Sequence, residues 1–228
     1  MTAWPRFHPA AADRRAVGRQ WPLVWLAAGC GGGVAILAAA LGLADGLTYR
    51  ELLNDPADTY GFSPAGGMVS NLGLMFWSAA AAVALVAWEV LRRRGGDARL
   101  RRFFLATSLF TAVLLVDDAF LLHEQVLPEA GIGERYIKAG YLGLALVYGL
   151  VFLRELMRDG GLVLLVPAGL FFAASFVFDN PALVGMMGLL EVDFVSYVIE
   201  DGAKFVGISL WLAFVARAAV TVLASRRF

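Results

Sequence analysis

The chain has 228 residues, of which 60% are hydrophobic and only 17% are charged, and its mean hydropathy is +0.70. A soluble domain is about half apolar and about a quarter charged, so these values exclude an ordinary soluble domain and favour a surface in contact with lipid. The formal net charge is zero, which gives no indication of a nucleic-acid partner. The two histidines are too few for a three-histidine metal site, and the single cysteine, Cys30, excludes an intrachain disulfide.

Six apolar runs approach the length of about 20 residues that a helix needs to cross a bilayer. They cover residues 22–44, 66–91, 103–125, 137–155, 161–178 and 194–223. The sequence shows no internal repeat, and its largest loop, residues 45–65, is too short to fold independently. The pattern therefore predicts an all-α fold in which residues 1–228 form a single polytopic domain of six transmembrane helices.

The distribution of positive charge predicts the orientation of these helices. Fifteen of the nineteen Lys and Arg residues lie in the segments 6–19, 92–102, 154–158 and 217–227. A six-helix topology places all four segments on one side, which the positive-inside rule identifies as cytoplasmic. We therefore expect both termini in the cytoplasm of a cell with the protein in its inner (plasma) membrane. Glu89 and Glu155, beside arginines at the inner helix ends, are expected to form interfacial ion pairs.

Two of the runs contain charged residues away from their ends, where each charge costs at least about 2.5–3.5 kcal/mol at the bilayer centre. The third run includes V-D-D-A-F-L-L-H-E, which supplies Asp117, Asp118, His123 and Glu124. The sixth run includes V-I-E-D-G-A-K, which supplies Glu200, Asp201 and Lys204. Such residues inside a membrane indicate a functional site.

Helix geometry places the two motifs at a similar depth. At 1.5 Å per residue, Asp117 lies roughly 10 Å below the outer surface, Glu200 about 9 Å and Lys204 about 15 Å. Ser70, Asn71 and Asp179 fall at outer helix ends on the same side. These positions predict a polar pocket open to the outer face.

The third run also limits what the pocket can hold. Asp117 and Glu124 are seven residues apart and share a helix face. One straight helix cannot direct all four of its polar residues at a single metal, so His123 is interpreted as an interfacial hydrogen-bonding residue.

Four carboxylates facing one lysine cannot all stay charged in a medium of low dielectric constant. The sequence therefore predicts shared protons, a bound cation or entry of water. Our leading hypothesis is transport or conduction of a proton or small cation. In it, Asp117, Asp118, Glu200 and Asp201 bind the ion, and Lys204 balances their charge. No cofactor other than this cation is indicated, and the presence of a metal stays open.

Two alternatives remain open. One is an intramembrane hydrolase acting on a lipid or peptide, in which a carboxylate is the general base, with or without a metal. Ser70 or Asn71 would orient the substrate. This hypothesis predicts a divalent ion or a water held between two carboxylates, with a lipid-sized groove beside them. The other is a non-enzymatic sensor or assembly subunit with structural ion pairs, which predicts that no cavity is present. The expected partners are membrane lipid and either a second copy of the chain or another membrane subunit.

The segments L-L-V-D-D-A-F-L-L-H-E at 114–124 and I-E-D-G-A-K-F-V-G-I at 199–208 resemble motifs of bacterial multipass inner-membrane proteins of unknown function. This resemblance implies a multipass fold and no particular activity. A fainter likeness is to glutamate-type intramembrane proteases, through E-D-G-A-K at 200–204 and F-L-L-H-E at 120–124. The order of the two motifs is reversed relative to those proteases, so catalysis is not carried over.

Overall fold

The computed structural model describes residues 55–179 and 198–224, together with isolated positions between 28 and 52. The chain divides into two compact units, residues 1–66 and 67–228. In the first unit, helix α1 (Pro56–Tyr60) is capped by Asp55, whose carboxylate accepts a hydrogen bond of 2.8 Å from the amide of Ala57. The predicted span 22–44 lies, apart from a few positions, outside the described residues.

Five longer helices make up most of the described residues of the second unit. They are α2 (Met68–Arg93), α3 (Ala98–Phe120), α4 (Glu134–Val151), α5 (Leu162–Phe178) and α6 (Asp201–Ala224). No strand occurs among the described residues, so the all-α prediction is confirmed for this part of the chain.

Three helices are long and apolar enough to cross a membrane: α2, α3 and the segment Val198–Ala224 that contains α6. A fourth span is obtained if α4 is joined to the bent segment Leu153–Gly160 that follows it. Helix α5 is apolar but has only 17 residues, which at 1.5 Å per residue is about 25 Å. The structure thus supports three or four membrane spans among the described residues.

Two predicted spans are not the continuous helices that hydropathy suggested. The third was expected to run to residue 125, but α3 ends at Phe120, and Leu121 adopts a left-handed conformation with φ of 50°. A π-helical turn, Leu122–Val126, follows. The fourth was expected to run straight to residue 155, but the chain bends by 75° after Val151.

Close packing of α2 rests on small side chains. Ala80, Ala84 and Ala87 are completely buried, and their spacing of three to four residues places them on one face of the helix. Side chains of this size let neighbouring helices approach closely, and both α3 and α6 pack against α2.

Helix α5 contacts α6 through an aromatic side chain and a glycine. A Cβ added to Gly207 would lie 2.9 Å from ring carbons of Phe172, so the Phe172 ring rests on bare backbone. The same ring stacks on Trp77 of α2 at 5.8 Å between ring centroids. Phe172 therefore joins three helices beside the cavity described below.

Hydrogen bonds between helices fix the position of α3 in the core. The Trp211 indole of α6 donates to Thr111 at 3.0 Å, and the hydroxyl groups of Thr107 and Tyr148 are 2.7 Å apart. Hydrogen bonds between helices require a particular orientation of the two side chains, which the surrounding apolar contacts do not. They set the rotation of α3 relative to its neighbours.

The arginine-rich end of the unit is held by ion pairs. Arg99 of α3 binds Glu155, and it also donates to the carbonyl of Val151 at 3.2 Å, where α4 ends. Glu89 accepts from Arg92 at 2.7 Å and from Arg93 at 2.5 Å. The predicted interfacial pairs of both glutamates are confirmed.

Candidate functional site

The break at Leu121 turns the chain back toward the end of α3. In a continuous helix His123 would lie away from Asp117, six residues earlier. The left-handed Leu121 and the π-helical turn instead bring the amide of His123 to 3.0 Å from Oδ1 of Asp117, and Nδ1 of its ring to 2.5 Å from Oδ2. His123 is a hydrogen-bonding residue, as expected, but its partner is Asp117 and it lines the cavity, because the backbone does not stay helical.

Asp117 is the centre of a hydrogen-bonded cluster. It is 6% exposed, and its Oδ1 accepts a third hydrogen bond, from the Tyr141 hydroxyl at 2.7 Å. The rings of His123 and Tyr141 meet edge to face at 6.2 Å between centroids. With Nδ1 facing Asp117, the other ring nitrogen, Nε2, lies 3.5 Å from Oε1 of Glu124.

Lys204 connects the two charged motifs. Its ammonium group donates a hydrogen bond to Oδ1 of Asp118, 86 positions earlier in the chain. The Asp118 side chain is 11% exposed and that of Lys204 is 30% exposed. This pair joins α3 to α6 at the level where the sequence analysis expected the motifs to meet.

The two carboxylates before Lys204 have different surroundings. Glu200 is half-buried and lines the cavity, and no described residue forms a hydrogen bond or an ion pair with its carboxylate. Asp201 is exposed and does not contribute to the cavity wall. The structure therefore separates two residues that the sequence analysis grouped together.

A second lysine, Lys138, also lies in the site. Lys138 of α4 binds Glu134 at 2.6 Å, one turn earlier, and also Asp179 at the end of α5. Tyr141 follows Lys138 by three positions and so faces the same side of α4. That spacing of three residues is the sequence feature that could have indicated that both residues belong to one site.

These groups surround the polar end of a cavity of 860 Å³. Its charged lining consists of Asp117, Asp118, Glu124, Asp179, Glu200, Lys138 and Lys204, with His123 beside them. From there the cavity continues between α4 and α5 along apolar side chains as far as Leu156 and Leu162. The result is an amphiphilic groove with one charged end.

Two predicted pocket residues do not belong to this groove. Ser70 and Asn71 are exposed in the first turn of α2 and are not part of the cavity wall formed by the described residues. The sequence placed both residues near the start of α2, as observed, but it could not indicate the side of α2 on which the cavity lies.

The donor set can be tested for a metal site. Within the described ranges, no group of three or more His, Cys, Asp or Glu side chains converges closely enough to hold a metal ion. Asp117 and Asp118 illustrate why: adjacent helical residues point about 100° apart, and each is committed to a different partner.

The fold and the groove together define an all-helical protein whose longest helices suit a membrane and which carries a charged cluster at one end of a cavity. The chain belongs to the family described as Domain of unknown function (DUF8692), whose model matches residues 30–218. Comparisons with curated proteins and with solved structures gave no match.

Proposed function

We propose that this is a multipass protein of the bacterial inner membrane that binds a proton or small cation at the charged end of its groove, for transport across the membrane. Six spans with cytoplasmic termini are part of the proposal. They are supported by the arginine-rich segments, which alternate with the apolar runs so that all fall on one side, and by the three or four helices that suit a membrane.

The observation that carries the proposal is the excess of negative groups in the groove. Five carboxylates and two lysines line it. Lys204 binds Asp118, and Lys138 binds Asp179. No described lysine or arginine pairs with Glu200, although that side chain is half-buried.

A charge left in an environment of low dielectric constant is stabilised by a proton or by a bound cation. Glu200 is therefore the proposed binding group, and Glu124 lines the same end of the groove. Asp118 is available only when Lys204 releases it, so Lys204 competes with the ion. The presence of a cavity also favours a binding function over the purely structural role, which requires none.

The proposal is tested in proteoliposomes that contain the full chain, with a pH-sensitive dye for proton flux and radioactive sodium for cation uptake. Glu200→Gln is expected to abolish flux, and Asp117→Asn to reduce it through the cluster that supports the site. Asp201→Asn is the matched control, because Asp201 is exposed outside the groove. No flux with the unaltered protein, or equal flux in all variants, would contradict the proposal.

A second candidate function is hydrolysis of a lipid within the membrane, and the Asp117–His123 pair favours it. Asp117 orients the ring so that Nε2 is available at the groove, where it can take a proton from water. The ammonium groups of Lys138 and Lys204 line the same end of the groove, where positive charge would stabilise developing negative charge. The groove beside them has the lipid-sized dimensions that the hydrolase hypothesis required.

This second function is tested by incubating the purified chain with an ester-linked phospholipid and measuring released fatty acid. His123→Gln is expected to eliminate release, because glutamine cannot act as a base. His8→Gln is the control, since His8 precedes all the apolar runs. Release that is unaffected by His123→Gln would exclude hydrolysis at this site.

A further inference from the structure

We propose that the ligand of the groove is an amphiphile with a single acyl-length chain and an ammonium head group. This inference rests on the proposed cation binding and names the class of molecule that carries the cation. Two parts of the groove support this inference. The charged end selects the head group, and the apolar walls accommodate the hydrocarbon tail.

Away from the charged end the walls of the groove are apolar, so a small cation binds at the charged end and does not travel along these walls. Beyond Tyr141 the lining from α4 is apolar, with Leu142, Ala145 and Leu146 in sequence. The α5 side is equally apolar, with Val166 and Phe172 among its residues. A hydrated ion would lose its water along such a path without gaining ligands. A hydrocarbon chain has no strongly bound water to lose.

The dimensions of the groove fit one chain. It follows α5 from Leu162 to Asp179, which is about 25 Å at 1.5 Å per residue. An acyl chain reaches across about half of a bilayer core of roughly 30 Å, so one chain with its head group fits within that length. The volume of 860 Å³ also lies within the range of about 300–1,000 Å³ that is usual for sites of small organic ligands.

Access to the groove is from the side of the bundle. Leu142, Leu146 and Leu150 line it and expose 66%, 61% and 64% of their surfaces. In a membrane this side faces hydrocarbon, so a lipid chain can enter laterally between α4 and α5 without crossing water.

Charge complementarity identifies the head group. Both lysines already contact carboxylates, while Glu200 and Glu124 have no described lysine or arginine partner. An ammonium group offers three N–H donors and one positive charge, which matches the two glutamates. A phosphate or carboxylate head would instead add negative charge to an end that already has an excess.

The test uses octadecylamine brominated at mid-chain, because bromine quenches tryptophan fluorescence on contact and Trp77 and Trp211 line the groove. The full chain in nanodiscs is expected to show saturable quenching. Octadecanol with the same bromine label, which lacks the charge, is expected to bind at least about tenfold more weakly, a difference of about 1.4 kcal/mol.

Two matched variants locate the chain. Gly149 lines the groove and Gly140 does not, yet both are in α4 and a Cβ at either would meet no atom within 4 Å. Gly149→Phe is expected to weaken quenching at least about tenfold, while Gly140→Phe leaves it unchanged. Ala145→Phe is a second obstruction of the groove, and size-exclusion chromatography verifies that each variant is folded.

Ethylammonium chloride and sodium chloride, titrated calorimetrically, separate this inference from the proposed function. Binding of these small cations that is unaffected by Glu200→Gln overturns the proposed function and the head-group assignment together. Small-cation binding that depends on Glu200, combined with amine quenching that neither Gly149→Phe nor Ala145→Phe reduces, overturns the amphiphile alone. Equal quenching by the amine and the alcohol, or none by either, also overturns it, as when ordinary lipid or another segment of the chain fills the groove.

Discussion

Replacing Asp117 by asparagine is expected to move the proton on the ring of His123 from Nδ1 to Nε2. In the native protein, Oδ1 accepts from the His123 amide at 3.0 Å and from the Tyr141 hydroxyl at 2.7 Å, and Oδ2 faces Nδ1 at 2.5 Å. Asparagine keeps the first two hydrogen bonds by placing its amide oxygen at the Oδ1 position. Its NH₂ group then faces Nδ1, which must become an acceptor.

The energetic cost follows from the number and type of hydrogen bonds. A hydrogen bond to a charged group contributes about 1.5–3 kcal/mol net and a neutral one about 0.5–1.5 kcal/mol. Three weakened bonds, less the smaller cost of burying a neutral group, give a loss of about 1–3 kcal/mol in the free energy of unfolding for Asp117→Asn. Asp117→Ala leaves buried donors unpaired and is expected to cost about 3–5 kcal/mol. Tyr141→Phe removes one bond between helices and should cost about 0.6–1.7 kcal/mol.

The tautomer is measured by nitrogen NMR of isotopically labelled protein in detergent micelles. The chain has only two histidines, so the background variant His8→Gln leaves His123 as the sole imidazole signal. Chemical denaturation of the same samples gives the differences in stability. An unchanged tautomer in Asp117→Asn, or a free energy of unfolding for Asp117→Ala equal to that of the native protein, would refute the described cluster.

Three further predictions concern other parts of the structure. Asp97 caps α3 through the amides of Arg99 at 2.7 Å and Leu100 at 2.9 Å, and these hydrogen bonds lower the pKa of its carboxyl below the ordinary value. Asp97→Ala should therefore cost about 1 kcal/mol near neutral pH. Because the folded pKa is the lower one, this contribution is complete above the unfolded pKa of about 3.9 and is lost as the pH falls through the folded pKa. Denaturation at neutral and acidic pH checks this, and a pH-independent difference from Asp97→Ala would contradict it. Lys204→Met leaves Asp118 without its partner and should cost about 3–5 kcal/mol, most of which the double variant with Asp118→Leu recovers; in a double-mutant cycle, additive losses would disprove the pairing. Gly207→Ala introduces a Cβ 2.9 Å from the Phe172 ring and should cost about 1–3 kcal/mol, which Phe172→Leu relieves; a thermal midpoint that Gly207→Ala leaves unchanged would argue against that close approach.

Hydropathy was sufficient to locate the apolar helices, because the requirement for about 20 lipid-soluble residues leaves a strong pattern. The starts of α2 and α5 fall within two residues of those predicted. The break after α3 escaped prediction because leucine is a good helix former, and nothing in L-L-H-E marks Leu121 for a left-handed conformation. Its cause is tertiary: the hydrogen bonds to Asp117 form only when the chain turns back.

That the two charged motifs meet was likewise predictable, whereas rotation about each helix axis was not. The fixed rise per residue placed Asp118 and Lys204 at similar levels, but it could not show which carboxylate Lys204 would bind. The rise per residue also placed Asp201 with Glu200 and Ser70 with the pocket. Position along a helix axis does not show which side of the helix faces the cavity. The core contacts of α3, such as Trp211 with Thr111, determine that rotation.

The ion pair between Asp118 and Lys204 also has a consequence for how the chain is made. The two residues are 86 positions apart, and at about 5–20 residues per second the ribosome takes roughly 4–17 s to add the lysine after the aspartate. Throughout that interval the nascent chain carries an acidic group whose basic counterpart has not been synthesised. A product released before residue 204 retains that group unneutralised, so the state of Asp118 distinguishes an unfinished chain from a complete one.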